Sequence, residues 1–224
     1  MHNLKRLDDN CHSAEDWASI VCKALDRTAA TLLKSQSLAH INRWGGFEKY
    51  FQFLLLAELS RTDRGVHWVP EYKRIDIAGV RKSEKLADES LVVAIELKHN
   101  FAGQRRELGR QSRHVAKGLL PRLLDDFQRL RLKQSQRRHT RAPCFGVQLI
   151  TVLPAGDASS WFKRSAISRA DDEGFVGTLI ERLKSSSSDL RVLYEQTVQP
   201  PRGSIPSFLH IVAVTPVNAK NRNQ

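Results

Sequence analysis

The segment LVVAIELKHNF at 91–101 sets two charges inside an otherwise apolar strand. A strand shows alternate residues to opposite faces. Val93, Ile95 and Leu97 then point one way, and Ala94, Glu96 and Lys98 point the other. A charged row of this kind is costly inside a protein unless it is paired or ligated.

The preceding apolar segment, RIDIAGV at 74–80, supplies a partner. Ile75 and Ile77 oppose Asp76 there. Between the two segments RKSEKLADES at 81–90 is polar and reads as a hairpin loop. Facing residues of an antiparallel pair keep a constant index sum. Asp76 and Glu96 are symmetric about position 86, at the centre of that loop. Both carboxylates are therefore expected on one face, with Lys98 two residues on.

Two carboxylates on adjacent strands supply hard oxygens suited to Mg²⁺. A neighbouring ammonium can hold an attacking water and offset negative charge in a phosphoryl-transfer transition state. The plainer reading is a Glu–Lys cross-strand pair on a solvated face. The tripeptide itself is not unique, since Glu71-Tyr72-Lys73 also matches. That copy follows Pro70, lacks a continuous apolar strand and has only Asp63 close before it.

Asp76 followed by Glu96-Leu97-Lys98 at the end of an apolar strand resembles the PD-(D/E)XK nuclease superfamily. Ile75 stands where the motif's name has proline. The resemblance implies an α/β fold with a restriction-endonuclease-like core. Its central mixed sheet is flanked by helices in the order α-β-β-β-α-β, here with a C-terminal extension. It also implies Asp76 and Glu96 as metal ligands, the Leu97 carbonyl as a further ligand and Lys98 as the catalytic lysine. Mg²⁺ or Mn²⁺ is the implied cofactor. Hydrolysis of nucleic-acid phosphodiesters by a metal-activated water is the implied activity, with DNA expected over RNA.

The order of elements agrees with that resemblance. WGGFEKYFQFLLLAELS at 44–60 reads as a helix entered at Gly45-Gly46, with Phe47, Tyr50, Phe51, Leu54 and Leu55 as its apolar stripe. VHWVP at 66–70 reads as a strand. LLPRLLDDFQRLRLK at 119–133 reads as a helix whose Pro121 suits the first turn. CFGVQLITVLP at 144–154 is a nearly continuous apolar run, as in a strand covered on both sides. Glu48 fits by position as the first-helix carboxylate that completes the metal site in many members. It equally fits as an acidic first-turn residue favoured by the helix dipole. Gln52 lies one turn further on the same face, and Glu71 is a second, less favoured approach to the site.

Charge adds a second line of argument. The chain carries a formal +12, and the stretch from Arg105 to Arg141 holds twelve Lys and Arg against three acids, nine of that surplus. Such a concentration is the footprint of a polyanion. A solvated helix face is the alternative. Arg113, Lys117, Arg122, Arg129, Lys133, Arg137 and Arg138 are the candidate nucleic-acid contacts, with Arg122, Arg129 and Lys133 on one helical stripe. Few aromatic residues interleave with them, so no base-stacking platform is evident.

The remaining features bound the answer. At 224 residues the length allows one domain or two small ones. One is expected, over 1–217, with its core at 44–154, an N-terminal helix at 13–35, a C-terminal sheet extension at 155–217 and a loose tail at 218–224. The helix at 13–35 should bury Trp17, Ile20, Val21, Ala24 and Leu25. Residues 172–184 read as a further helix, and 190–198 and 207–216 as strands that extend the sheet. No apolar run approaches the ~20 residues of a membrane span, and the start, MHNLKRLDDN, has no hydrophobic signal region. Cys11, Cys22 and Cys144 are few and scattered, which suggests reduced thiols rather than disulfides or a zinc site. A cytoplasmic protein is expected. No phosphate-binding loop of the ATPase kind occurs. A homodimer is compatible with cutting both strands of a duplex. Two other readings stay open: a non-catalytic nucleic-acid-binding module on the same fold, and a basic subunit that meets an acidic partner.

Overall fold

The structure, a computed structural model, describes residues 12–34, 47–72, 75–82, 89–102, 142–152, 190–198 and 208–216, with Asp125, Arg129, Glu181 and Ser185 as isolated positions. Helix α1 (Ala14–Lys34) starts at a reciprocal cap. The Ser13 amide donates to Asp16 Oδ2 at 2.9 Å, and the Asp16 amide donates back to the Ser13 hydroxyl at 3.1 Å. Two amides that the first turn would leave unpaired are satisfied this way. Trp17, Val21, Ala24 and Leu25 are buried as expected, joined by Ala18, Thr28, Ala29 and Leu32, while Ile20 lies at the margin.

Helix α2 (Phe47–Thr62) buries Phe47, Phe51, Leu55 and Leu59. Tyr50 and Leu54 are only partly buried, because the inward face also takes Gln52 and Glu58. Arg61, one turn on, pairs with the Glu58 carboxylate. The helix ends in a turn organised by Asp63, whose amide donates to Leu59 O at 2.9 Å and whose Oδ1 accepts from Gly65 N at 2.8 Å. Trp68 then meets Trp17 edge-on at 6.0 Å, which ties the first strand to α1.

Six strands follow among the described residues: β1 (His67–Tyr72), β2 (Ile75–Lys82), β3 (Glu89–Ala102), β4 (Cys144–Val152), β5 (Leu190–Val198) and β6 (Phe208–Pro216). They form one mixed sheet in the order β1-β2-β3-β4-β6-β5. Only β3 and β4 run parallel; every other neighbouring pair is antiparallel. Parallel neighbours need a crossover, which falls between Ala102 and Cys144. Pro70 sits in β1, an edge strand, where its missing N–H breaks no central ladder. The strands β2 and β3 run further into the sequence-expected loop at 81–90 than their apolar cores suggested, leaving 83–88 between them.

The β2–β3 register is the one expected from sequence symmetry. Ile77 faces Ile95, Ala78 faces Ala94 and Gly79 faces Val93, before a bulge at Gly79/Val80. Gly79 has no room for a side chain, since a Cβ there would lie 2.5 Å from Val93 Cγ1 and 3.0 Å from Val66 Cγ1. The α1 and α2 helices cover one face of the sheet, over Ile77, Ile95, Leu97, Phe145, Val147, Leu149, Leu209, Ile211 and Ala213. Residues of the opposite face, including Ala78, Ala94, Ile150, Val212 and Val214, are buried as well. Among the described residues, Cys22 and Cys144 take part in no disulfide. The helix expected at 119–133 is described only at Asp125 and Arg129, and that at 172–184 only at Glu181; all three positions are helical. The rest of both segments, the N-terminal decapeptide and the tail at 218–224 lie outside the described residues.

His210, on the opposite face of β6, is 5% exposed. Its Nδ1 lies 2.8 Å from Thr197 Oγ1, while Nε2 is buried with no hydrogen-bond partner among the described residues. Burial pushes the imidazole down to about 4. A depressed histidine is neutral in the folded chain and takes up its proton on unfolding. Its contribution to stability is therefore complete above pH 6.5 and is lost as pH falls toward 4. Between pH 7 and pH 5 that loss is about 2 kcal/mol. His210→Leu should lose correspondingly less stability than the parent over this interval in urea unfolding. Equal losses in the two proteins would contradict a buried neutral imidazole.

Candidate functional site

Strand β3 outruns β2, and the difference creates the site. The β2 ladder ends at the Ile77–Ile95 pair, whereas β3 continues beside β4 to Ala102. Beyond Ile95, no β2 residue pairs with β3 among the described residues. A backbone amide left unpaired away from water costs roughly 1–3 kcal/mol. Two carboxylates take the place of the missing strand. Asp76 Oδ2 accepts from Leu97 N at 2.6 Å, and Glu48 Oε2 accepts from His99 N at 2.9 Å. They arrive from different directions: Asp76 from β2, Glu48 from the first turn of α2.

The β2–β3 ladder ends at the Ile77–Ile95 pair, and its constant index sum, carried one step further, points Asp76 toward Glu96. Both lie on the sheet face turned away from the helices, as does Lys98. Glu96 is 8% exposed and stands in register beside Gly146 of β4, while Lys98 is exposed beside Gln148. The Leu97 side chain is fully buried on the helical side. In a strand the N–H and C=O of one residue face the same neighbour. The Leu97 carbonyl therefore faces the Asp76 flank.

His99 occupies the helical face, as the alternation predicts. Its ring lies 5.1 Å from that of Phe47, and its Nε2 is 2.7 Å from Thr151 Oγ1. Burial pushes this imidazole down to about 4. It is thus a packed neutral ring directed at Thr151, and its backbone amide is the part that meets the site.

A second layer surrounds Asp76. Gln52, nearly buried, donates to Glu71 Oε1 at 3.1 Å and also to the Asp76 carbonyl. Lys49 pairs with the same Glu71 carboxylate. Hydrogen bonding from Glu71 raises Lys49 above its ordinary value, and the charges of Asp76 and Glu48 act in the same direction. The Lys49 and Gln52 hydrogen bonds lower Glu71, with the charge of Lys98 adding to the effect. Glu71 reaches this position through a left-handed backbone, at φ 55°. That conformation costs a non-glycine residue about 1–2 kcal/mol, and such strain gathers at functional positions.

Sequence reasoning placed Asp76, Glu96, Lys98 and Glu48 here and gave Glu71 less weight than the geometry does. It missed Lys49. The available signal was its position in α2, beside Glu48 and one turn before Gln52. Among the described residues no group of three or more His, Cys, Asp or Glu side chains is arranged to hold a metal ion. Of the basic-segment candidates, Arg129 alone is described, exposed and paired with Asp125 at 2.8 Å. Arg113, Lys117, Arg122, Lys133, Arg137 and Arg138 lie outside the described residues. Among the described residues no helix is long and apolar enough to cross a membrane. No protein-family model, curated protein or solved structure matches the chain.

The two amide contacts make a direct prediction. Asp76→Ala should speed hydrogen exchange at the Leu97 amide, and Glu48→Ala should do so at His99. Asp76→Asn and Glu48→Gln, which keep an acceptor oxygen, should largely preserve protection. Unchanged exchange in both alanine variants would contradict the arrangement.

Proposed function

We propose that the chain is a metal-dependent nuclease with a restriction-endonuclease-like core, acting on nucleic acid and by preference on DNA. The observation that carries this reading is the Asp76–Leu97 contact at the point where β2 and β3 part. It brings a carboxylate against the backbone between Glu96 and Lys98, one step past the last β2–β3 pair, Ile77–Ile95. The mixed sheet, with α2 preceding β1, β2 and β3 and with β4 parallel to β3, supports the same reading.

The donor chemistry fits a hard divalent cation. Asp76 and Glu96 offer carboxylate oxygens and Leu97 a carbonyl, the ligand type that Mg²⁺ and Mn²⁺ favour. Cys144 and the His99 ring, the softer groups nearest in the sheet, are buried or directed elsewhere. Such a cation, when bound, supplies Lewis-acid activation of phosphate and water. The remaining work falls to the chain's own groups. Lys98, itself exposed, holds the attacking water toward phosphorus and offsets the charge that develops on the phosphate oxygens. Glu48 fixes the end of β3 through His99, so that Lys98 keeps its orientation. In-line attack by water needs no covalent enzyme intermediate.

The net charge of +12 suits a polyanionic substrate, and the basic stretch 105–141 gives it a surface to follow. The non-catalytic module and the basic partner subunit keep the charge but require no Asp76–Glu96–Lys98 constellation. A homodimer would give the two active sites needed to cut a duplex.

Incubation of the purified protein with plasmid and single-stranded DNA tests the proposal, with Mg²⁺ and with a chelator. Cleavage should require the metal. Asp76→Asn, Glu96→Gln and Lys98→Ala should each reduce it by at least a hundredfold while the fold remains intact by circular dichroism. Asparagine is the informative change at position 76, because it removes charge yet keeps an acceptor for Leu97. Full activity in any of the three would overturn the assignment. Glu48→Gln should cause a smaller loss, about tenfold, since the backbone contact survives.

A further inference from the structure

Lys49 is a cation beside the site that the nuclease reading leaves without a task. It projects from the first turn of α2, next to Glu48, and its side chain is 62% exposed. Its partner Glu71 is held by a left-handed backbone and by Gln52. Gln52 in turn grips the Asp76 carbonyl, so the Lys49–Glu71 pair is mechanically joined to the strand that carries Asp76. The charge of Lys98 also acts on the same Glu71 carboxylate. An exposed Lys–Glu pair by itself contributes little to stability. Burying Gln52 and straining Glu71 to place such a pair is therefore poorly explained by folding alone.

We infer that Lys49 is a phosphate-binding residue of this site, with the Glu71 carboxylate holding its place until a nucleic-acid phosphate takes over the ammonium. The inference rests on the reading of the site as one that meets nucleic acid. It adds a contact on the helix side of the Asp76 notch, opposite the sheet face that carries Lys98. Glu71 has the charge type and hydrogen-bonding oxygens of a phosphate, and the ammonium is accessible from solvent. Exchange of one anion for the other needs only rotation of an exposed lysine side chain. Gln52 and the strained backbone keep Glu71 close enough to pre-position Lys49. Lys49 is thereby ordered before substrate arrives, which lowers the entropic cost of the contact.

The test is binding of short duplex DNAs of unrelated sequence, in chelator so that nothing is cut, across a series of salt concentrations. Lys49→Gln should weaken binding roughly tenfold at low salt and flatten the log–log salt slope by about 0.9, the loss of one phosphate contact. Lys49→Arg should restore most of both. Glu71→Gln should tighten binding, since it removes the anion that competes for the ammonium. A Lys49→Gln protein with parental affinity and slope would overturn the inference. So would a Glu71→Gln protein as weak as Lys49→Gln, because Lys49 would then act only as the partner of Glu71. A parent that binds no duplex would overturn both this inference and the nuclease reading. A parent that binds, loses affinity with Lys49→Gln and yet cuts nothing with Mg²⁺ would overturn the nuclease reading alone.

Discussion

Two carboxylate–amide hydrogen bonds close a gap that the sheet itself leaves open. β3 continues past the end of its ladder with β2, and Leu97 and His99 would present bare amides there. Asp76 and Glu48 satisfy them, one from the sheet and one from a helix. The same contacts that complete the backbone bring negative oxygens to one notch. Structure and candidate chemistry are thus inseparable at this point. Hydrogen bonds to carboxylates are stronger than those between neutral groups, so the two acids anchor the end of β3. Lys49 pairs with the neighbouring Glu71 carboxylate, on which the charge of Lys98 also acts.

The sheet explains why the notch is firm. Helices α1 and α2 pack on one face and bury Phe47 and Phe51 against the strands that carry the site. Phe47 also lies against the His99 ring. Movement of α2 would therefore disturb Glu48, Lys49, Gln52 and the His99 backbone together. Gly79, where no side chain fits, lets β2 approach Val66, Trp68 and Val93 at the bulge. The close approach sets the path of β2 toward Asp76.

Much of this arrangement was legible in the chain. Alternation in 91–101 assigned Leu97 to one face and Glu96 and Lys98 to the other, and the symmetry of Asp76 and Glu96 about the loop predicted the register now seen in the Ile77–Ile95 pair. Both cues are local, set by the two-residue period of a strand. Glu48 was legible only as one of two alternatives. Its contact with His99 spans 51 positions and depends on how α2 docks. Glu71 was underweighted for a different reason: a left-handed backbone at a glutamate has no signature in residue type. In α2, Gln52, which the sequence placed on the face of Glu48, turns inward to bond Glu71 and the Asp76 carbonyl, whereas the burial of Glu58 and the marginal position of Tyr50 and Leu54 have no signature in the apolar stripe.

A paramagnetic titration followed by NMR probes the central claim without relying on turnover. Mn²⁺ bound at the notch should broaden the backbone amide signals of Leu97 and His99 at substoichiometric metal, ahead of signals from β5 and α1. Asp76→Asn should abolish that selectivity. Broadening that begins elsewhere, or that spreads uniformly over the chain, would contradict a metal-dependent site built on the parting of β2 and β3.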